Sequence, residues 1–503
     1  MPGRILKMHN CQARLLADIP EMSFTEFRDM SINQIQKGAR VVSFFGCLDE
    51  NKSIRLMMIL AYDKQGYLTA FSTIVKDAYD SLTLQIPQVN RFEREIFEQW
   101  GVCPKGHPWL KPIRPQQTLN NNLDNFPGKE NIPLVSDFFK IKGEEIHEVA
   151  VGPVHAGIIE PGHFRFQCHG EEVFHLEISL GYQHRGIEKA LINGPDKRTI
   201  HYMETAAGDT TIGHALAYCQ AIEGLADCAV PLRASALRAV MLELERLANH
   251  TGDLGALAND VGYLPTAAYC GRLRGDFLNL TAFICGNRFG RNMLRPGGVR
   301  FDLTDSMINE AKQRLIKTFE DVSNAVSLLW DSSLVADRFD DTGSLSQKTA
   351  LDLGLVGISA RACGIEQDIR FDFPTGIFKF SQIPISTHSS GDVFARAFVR
   401  WLEIQRSVKF ILDQLNKLPE GEIMAAVPLL KPKNIAVSLV EGWRGEICHV
   451  VITDINGNIR QYKIVDPSFH NWLGLAIALR GEEISDFPIC NKSFSLSYCG
   501  HDL

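Results

Sequence analysis

The sequence has no long hydrophobic run. No stretch reaches the roughly 18 uncharged apolar residues that a helix needs to cross a bilayer. The N-terminal segment also lacks the apolar core and the small-residue cleavage site of a secretory signal. We therefore expect a protein on the cytoplasmic side of the cell membrane, one that contacts the membrane only through partner subunits.

Basic clusters are missing as well. Across 503 residues the formal net charge is -7, and no Lys/Arg-rich block stands out. Because phosphate contacts supply most of the affinity for nucleic acids, this composition argues against a nucleic-acid partner. Hydrophobic residues make up 45% of the chain and charged residues 22%, which is the balance of a folded globular protein. The length predicts two or three domains.

Closely spaced cysteines are absent, although the chain has 12 cysteines in total. No two of them form a CxxC pair, and structural zinc and iron-sulfur sites usually need neighbouring thiolates. We therefore expect reduced, mostly buried thiols. The histidines do not cluster with the cysteines either, so the sequence predicts no metal site in this chain.

The composition changes along the chain. Residues 1–115 predict a small α/β domain, with two β-rich runs at 41–50 and 53–63 and a helix at 91–102. Residues 116–145 predict a linker, because most of this segment is rich in Asn, Gln, Pro and Gly.

Residues 146–503 predict a larger, mainly helical domain. Its longest amphipathic patterns cover 232–258, 306–334 and 392–418, whereas 434–465 returns to strand periodicity with an Asn-Gly turn. The predicted fold class is therefore α+β: a small α/β domain, followed by a helical bundle with flanking β-strands.

Several motifs in the larger domain occur together and in order. The first group lies in 152–191 and comprises Gly152-Pro153 with His155, Glu160-Pro161, and Gly181-Tyr182 with His184, Arg185, Gly186, Glu188 and Lys189. Later pieces are Glu243 with Arg246 and His250, Arg361 with Asp368 and Arg370, Arg444-Gly445-Glu446, and Pro467-Ser468-Phe469. Together they resemble the large subunit of membrane-bound nickel-iron hydrogenases and the homologous quinone-side subunit of complex I.

The small domain carries a second resemblance. Residues 93–114 are similar to the small peripheral subunit of complex I, mainly through Glu93-Arg94-Glu95, Gly106-His107-Pro108 and Arg114. The two units are fused in this order in the formate-hydrogenlyase and hydrogenase-4 type of hydrogenase. The resemblance therefore implies a hydrogenase large-subunit-like fold for the larger domain.

The family holds nickel with four thiolates, which it supplies as two CxxC pairs, because soft sulfur ligands suit this metal. Here the corresponding positions are Ala207 and Thr210, around Gly208, and Ser497 and Gly500, beside Cys499. None of the four is a cysteine. We therefore expect no nickel-iron centre.

A quinone site in the complex I manner is not evident either. In that branch a histidine and a tyrosine hold the quinone head group. Their positions correspond here to Ile159 and Gly208, neither of which has a polar side chain.

The resemblance also implies polar residues around the former metal cavity. The counterpart of Arg444 faces the iron-bound ligands, where a guanidinium stabilises negative charge; the alternative is a structural ion pair. A proton path would use His155, Glu160, His184, Arg185 and Glu188, or these residues form a buried network that pins strands to the bundle. Asp209 and His214 lie in the former ligand loop and would take proton-linked roles, or Asp209 caps a helix.

Three functions follow from the resemblance. The first is a peripheral large subunit of an NADH:quinone oxidoreductase-like or hydrogenase-4-like redox complex. It would bind no cofactor itself, sit beside a small subunit with an iron-sulfur cluster, take quinone as one acceptor, and be coupled to ion movement by antiporter-like integral membrane subunits. The second is a non-redox coupling or scaffold subunit of an antiporter-like ion- or bicarbonate-transport complex. The third is an active hydrogenase. The first predicts a cavity near Arg444 and Gly208, and the second predicts that the former ligand positions pack without a void.

Overall fold

The computed structural model describes residues 5–49, 51–114, 137–155 and 159–503. Most of the expected linker at 116–145 lies outside these residues. Within the described ranges no helix is long and apolar enough to cross a membrane. The predicted α+β class is confirmed, with a strand-rich N-terminal unit and a mainly helical second unit.

The N-terminal unit is built on an antiparallel meander. Its elements are β1 (Leu6–Met8), β2 (Arg14–Leu15), β3 (Glu21–Met22), α1 (Phe24–Gln36), β4 (Arg40–Leu48), β5 (Ile54–Tyr62), β6 (Tyr67–Val75), β7 (Ala78–Asp80), α2 (Asn90–Trp100) and β8 (Cys103–Lys105). The sheet order is β1-β6-β5-β4, and β3 pairs with β6 in parallel. Both faces of β4, β5 and β6 are covered, because nearly all of their residues are buried and most of them are apolar. The hairpin and the helix expected from the sequence are both present.

The second unit begins with a three-stranded sheet and continues into helices. Its elements up to residue 416 are β9 (Ile146–Val151), β10 (His163–His169), β11 (Glu172–Ser179), α3 (Ile187–Ala190), α4 (Thr199–Met203), α5 (Thr211–Ala226), α6 (Leu232–Asp260), α7 (Leu264–Cys285), β12 (Leu294–Arg295), β13 (Gly298–Val299), α8 (Asp305–Trp330), α9 (Ser333–Phe339), α10 (Gln347–Leu353), α11 (Ile358–Arg361), α12 (Ile369–Asp372) and α13 (Val393–Asn416). Helix α6 lies at the centre, where it packs against α7 and α13.

The chain then returns to strands and ends in short helices. These elements are β14 (Asn434–Glu441), β15 (Glu446–Thr453), β16 (Ile459–Val465), α14 (Pro467–Ala478), α15 (Phe487–Phe494) and α16 (Tyr498–Asp502). The three strands form an antiparallel sheet in the order β16-β15-β14, and α5 packs against it. This sheet and the start of α5 position the former ligand loops.

The two units share a sheet and a hydrophobic core. Strand β2 extends the C-terminal sheet by pairing with β14, so that Leu15 lies opposite Asn434. Phe92 of α2 packs against Phe469 of α14, with 5.0 Å between their ring centroids. Two ion pairs also cross the boundary, Arg40 with Glu446 and Glu95 with Lys463.

Candidate functional site

The two former ligand loops come together between the start of α5 and helix α16. Ala207 and Thr210 precede α5, and Thr210 is its N-terminal flanking residue. Ser497 caps α16, because its hydroxyl accepts a hydrogen bond of 2.9 Å from the backbone N–H of Gly500. Ala207, Thr210 and Ser497 are all buried. The Ser497 hydroxyl, which occupies one former ligand position, is therefore already hydrogen-bonded to a backbone N–H.

A partly buried ion pair joins the first loop to the turn between β14 and β15. The guanidinium of Arg444 donates to both carboxylate oxygens of Asp209, at 2.5 and 2.7 Å. It also lies 3.9 Å from the ring centroid of Trp443, whose indole N–H donates to the Asp209 carbonyl at 3.0 Å and to the Thr210 hydroxyl. Burial opposes both charges, but the pairing lowers the pKa of Asp209 and raises the pKa of Arg444. Arg444 therefore forms the ion pair that was the alternative to a free cavity residue.

At the second loop, a carboxylate lies against the glycine. A Cβ atom at Gly500 would lie 2.7 Å from the Asp466 Oδ2 atom and 2.9 Å from the Ser497 hydroxyl oxygen, so a larger side chain does not fit. Cys499 is the nearest thiol. Burial and the neighbouring Glu160 carboxylate raise its pKa to about 11, which keeps it protonated at neutral pH.

These residues do not fit a nickel-iron centre. Ala207 and Gly500 have no donor side chain, Ser497 caps a helix, and Cys499 supplies at most one thiolate where the centre needs four. In the part of the chain that the structure describes, no group of three or more His, Cys, Asp or Glu side chains is placed to hold a metal ion.

A chain of buried polar groups leads away from Asp466. His214 Nε2 lies 3.1 Å from Asp466 Oδ2, His214 Nδ1 lies 3.1 Å from His449 Nε2, and His449 Nδ1 lies 2.8 Å from the Tyr462 hydroxyl. Burial and the nearby His214 lower the pKa of His449, so its ring is neutral. With Asp466 charged, each group then donates toward it: Tyr462 to His449, His449 to His214, and His214 to Asp466.

This chain of groups can hold a proton or pass it between neighbours. Of its four residues only His214 was a candidate from the sequence, whereas Asp466, His449 and Tyr462 were missed. No local pattern marks them, because they lie more than two hundred residues beyond His214 in the sequence.

The other predicted site residues near this point are held largely by backbone groups. His155 donates to the Gly162 carbonyl at 2.9 Å, and Glu160 accepts from the Tyr498 N–H at 3.3 Å. His184 donates to the Asp502 carbonyl at 2.8 Å, and burial lowers its pKa. Arg185 donates to three carbonyls, those of Thr205, Ala206 and Cys499. These contacts hold the strand-side residues, the first loop and α16 together.

Glu188 lies apart from this group, at the boundary between the two units. It accepts from the Lys463 ammonium at 3.0 Å and from the Ile464 N–H at 2.8 Å. Lys463 also pairs with Glu95 of α2 at 2.7 Å. The structure therefore brings Glu160, Arg185, Asp209 and Arg444 to the former ligand loops and places Glu188 elsewhere.

Comparison with known proteins bears directly on this site. Residues 260–434 match the family model of the respiratory-chain NADH dehydrogenase 49 Kd subunit, and residues 10–138 match that of the 30 Kd subunit. An NADH-quinone oxidoreductase subunit of Carboxydothermus hydrogenoformans is 32% identical over 351 residues, covering 69% of this chain and 95% of the relative. Formate hydrogenlyase subunit 5 of Escherichia coli is 27% identical over 439 residues, covering 84% of this chain and 76% of the relative.

The chain belongs to the complex I 49 kDa subunit family. A domain of the 30 kDa type is fused to its N-terminal side, and hydrogenase-4 component G of Escherichia coli matches 84% of the chain at 27% identity. The relatives are subunits of oxidoreductase complexes, and this chain is a redox-complex subunit of that kind.

One side of the former ligand site of this 49 kDa-type chain is open. Gly208 is exposed, and a Cβ atom there would have no neighbour within 4 Å. Val154 and Ile159 on the connection between β9 and β10 are 86% and 58% exposed. The carboxylate of Asp209 is one third exposed. The site is thus filled at Gly500 and open at Gly208.

Proposed function

We propose that this chain is the peripheral large subunit of a membrane-associated redox complex, complex I-like or hydrogenase-4-like, and that it holds no nickel-iron centre. The absence of a nickel-iron centre is supported by the contact between Asp466 and Gly500, because this contact leaves no room for a ligand side chain at position 500. The Asp209–Arg444 pair supports it, because it ties the other former ligand loop to the C-terminal sheet.

The open side of the site suits a partner. An iron-sulfur small subunit would cover Gly208 together with the exposed Val154 and Ile159, since large apolar side chains that remain this accessible mark interaction surfaces. Antiporter-like integral membrane subunits would then attach the assembly to the membrane. Quinone binding here would need hydrogen-bond donors other than the side chains of Ile159 and Gly208.

A second candidate is a coupling or scaffold subunit without electron transfer through this site. The specific observation in its favour is that Ala207, Thr210, Ser497 and Gly500 are all buried and packed.

The test uses the intact assembly, purified through a tag on another subunit. Elemental analysis is expected to find iron, from the small subunit, but no stoichiometric nickel. One nickel per chain together with hydrogen uptake would overturn the proposal.

Reduction of a short-chain quinone by the same assembly separates the two candidates. Gly208→Trp fills the open side, and Lys197→Glu changes an exposed residue away from the site. Loss of reduction in Gly208→Trp alone supports the redox subunit. Unchanged reduction, with retained ion transport, supports the scaffold.

A further inference from the structure

A cavity of about 860 Å³ lies between the two units, away from the former metal site. Its walls come from the segment around β2, from the β4–β5 hairpin, from the end of α2, from the connection after α3 and from the C-terminal sheet. Pockets of this size hold ligands as large as drugs and cofactors. None of the residues that the motifs or the former ligand loops pointed to lines it, apart from Lys189.

Much of the inner wall is apolar. Leu16, Ile19, Leu48 and Ile452 line the cavity beside the indole of Trp100. Trp100 is only 3% exposed, and its N–H has no hydrogen-bond partner among the described residues. This N–H is not accessible from the cavity, so the indole contributes apolar surface to the wall.

The rim is positively charged. Four cationic residues line the cavity, namely Arg55, Lys189, Lys433 and Arg460, against the two carboxylates Glu21 and Asp49.

Both carboxylates are already engaged. Glu21 pairs with Arg55 at 2.7 Å, and Asp49 accepts from the N–H groups of Asn51 and Ser53. Lys189 and Arg460 have no carboxylate partner in the described ranges, and Arg460 instead donates to the Leu48 carbonyl. The side chains of Lys189 and Arg460 are therefore available at the rim of an apolar wall to pair with an acidic ligand.

We propose that this cavity binds an amphiphilic anion, a molecule with one acyl-type apolar body and a carboxylate or phosphate head. The apolar body lies against Leu16, Leu48 and Ile452, and the acidic head lies at Lys189 and Arg460. Because the walls come from both units, the ligand bridges them. This proposal does not depend on the redox role.

The test is isothermal titration calorimetry on the full chain with four probes below their micellar concentrations. Oleate combines the apolar body with a carboxylate head, and 1-oleoyl-lysophosphatidate combines it with a phosphate head. Inorganic phosphate supplies the head alone, and octanol supplies an apolar body alone. We expect one site per chain for at least one of the two amphiphilic anions, and no saturable binding of phosphate or octanol. Whichever head group binds more tightly, carboxylate or phosphate, shows which of the two kinds of amphiphilic anion the cavity selects.

Two variants locate the site. Lys189→Glu in α3 reverses an exposed rim charge and is expected to weaken binding by about tenfold, whereas Lys197→Glu, exposed on the connection that follows α3, serves as the matched control. Ala17→Trp fills the cavity from an exposed position and is expected to abolish binding. The proposal is overturned if neither anion binds, or if Ala17→Trp binds as well as the parent chain while remaining folded by circular dichroism.

Discussion

At the scale of single residues, the two glycines of the former ligand loops are expected to respond in opposite ways to the same change. Gly500→Ala places a methyl group against the Asp466 carboxylate and should lower the free energy of unfolding by about 1–3 kcal/mol. Gly208→Ala meets no neighbour and should change it by less than about 0.5 kcal/mol. Urea unfolding of both variants measures the difference. Equal effects would mean that the second loop is not filled.

The Asp209–Arg444 pair permits a second test at this scale. Asp209→Asn leaves the buried Arg444 charge without its partner and should cost about 1–3 kcal/mol of stability, less than for a fully buried pair because Asp209 is one third exposed. The double variant with Arg444→Met removes both charges and should recover part of that loss. Exposed Asp337→Asn is the control. If the double variant is less stable than Asp209→Asn alone, the guanidinium has a further role beyond the pair.

At the scale of secondary-structure elements, helix α5 meets the N-terminal segment at Gly224. A Cβ atom there would overlap the carbonyl oxygen of Cys11, whose own N–H donates to the Val437 carbonyl at 2.8 Å in β14. Gly224→Ala should therefore push this segment off the C-terminal sheet and lower stability by about 3 kcal/mol. Gly271→Ala in α7 has open space and should raise stability by up to about 1 kcal/mol through helix propensity. Thermal unfolding compares them, and a stabilised Gly224→Ala would contradict the close approach.

Elements with a strong local period were predictable, and contacts between distant segments were not. The apolar period predicted α6 and α13 almost to their ends, whereas the pattern at 306–334 is divided near Asp331 into α8 and α9. The pairing of β2 with β14 joins segments more than four hundred residues apart, and so short a strand has no period of its own.

The candidate site also combines features that were predictable from the sequence with contacts that were not. The family resemblance located both former ligand loops, but the contact of Asp466 with Gly500 depends on how α14 and α16 pack. The Asp209–Arg444 pair was within reach, because both residues were candidates and a structural ion pair was one alternative.

At the scale of the whole molecule, the shared core makes the two units one folding unit. Phe92 and Phe469, Arg40 and Glu446, and the β2–β14 pairing all cross the boundary. Because disrupting one unit exposes apolar surface of the other, we expect a single unfolding transition with coincident midpoints by tryptophan fluorescence and far-ultraviolet circular dichroism. Two separated transitions would show that the units are independent.

His501 makes this boundary sensitive to acid. Its buried ring donates from Nδ1 to Asp502 at 2.8 Å and accepts at Nε2 from Arg91 of α2 at 2.9 Å, which requires the neutral form. Burial and the charges of Arg91 and Arg114 lower its pKa from 6.5 to about 4, although Asp502 opposes this. The unfolded chain therefore binds the proton first, so the stabilisation is complete above about pH 6.5 and is lost as the pH falls toward 4.

Between about pH 7.5 and 5, protonation of His501 alone should lower the free energy of unfolding by roughly 2 kcal/mol. His501→Asn keeps a donor and an acceptor but does not titrate, so its stability should fall less over the same interval, whereas exposed His9→Asn should fall as the parent chain does. Urea midpoints at the two pH values measure this difference directly. Because other buried histidines contribute equally to the parent chain and to both variants, an identical pH dependence in His501→Asn would mean that the contact with Arg91 does not hold the ring neutral.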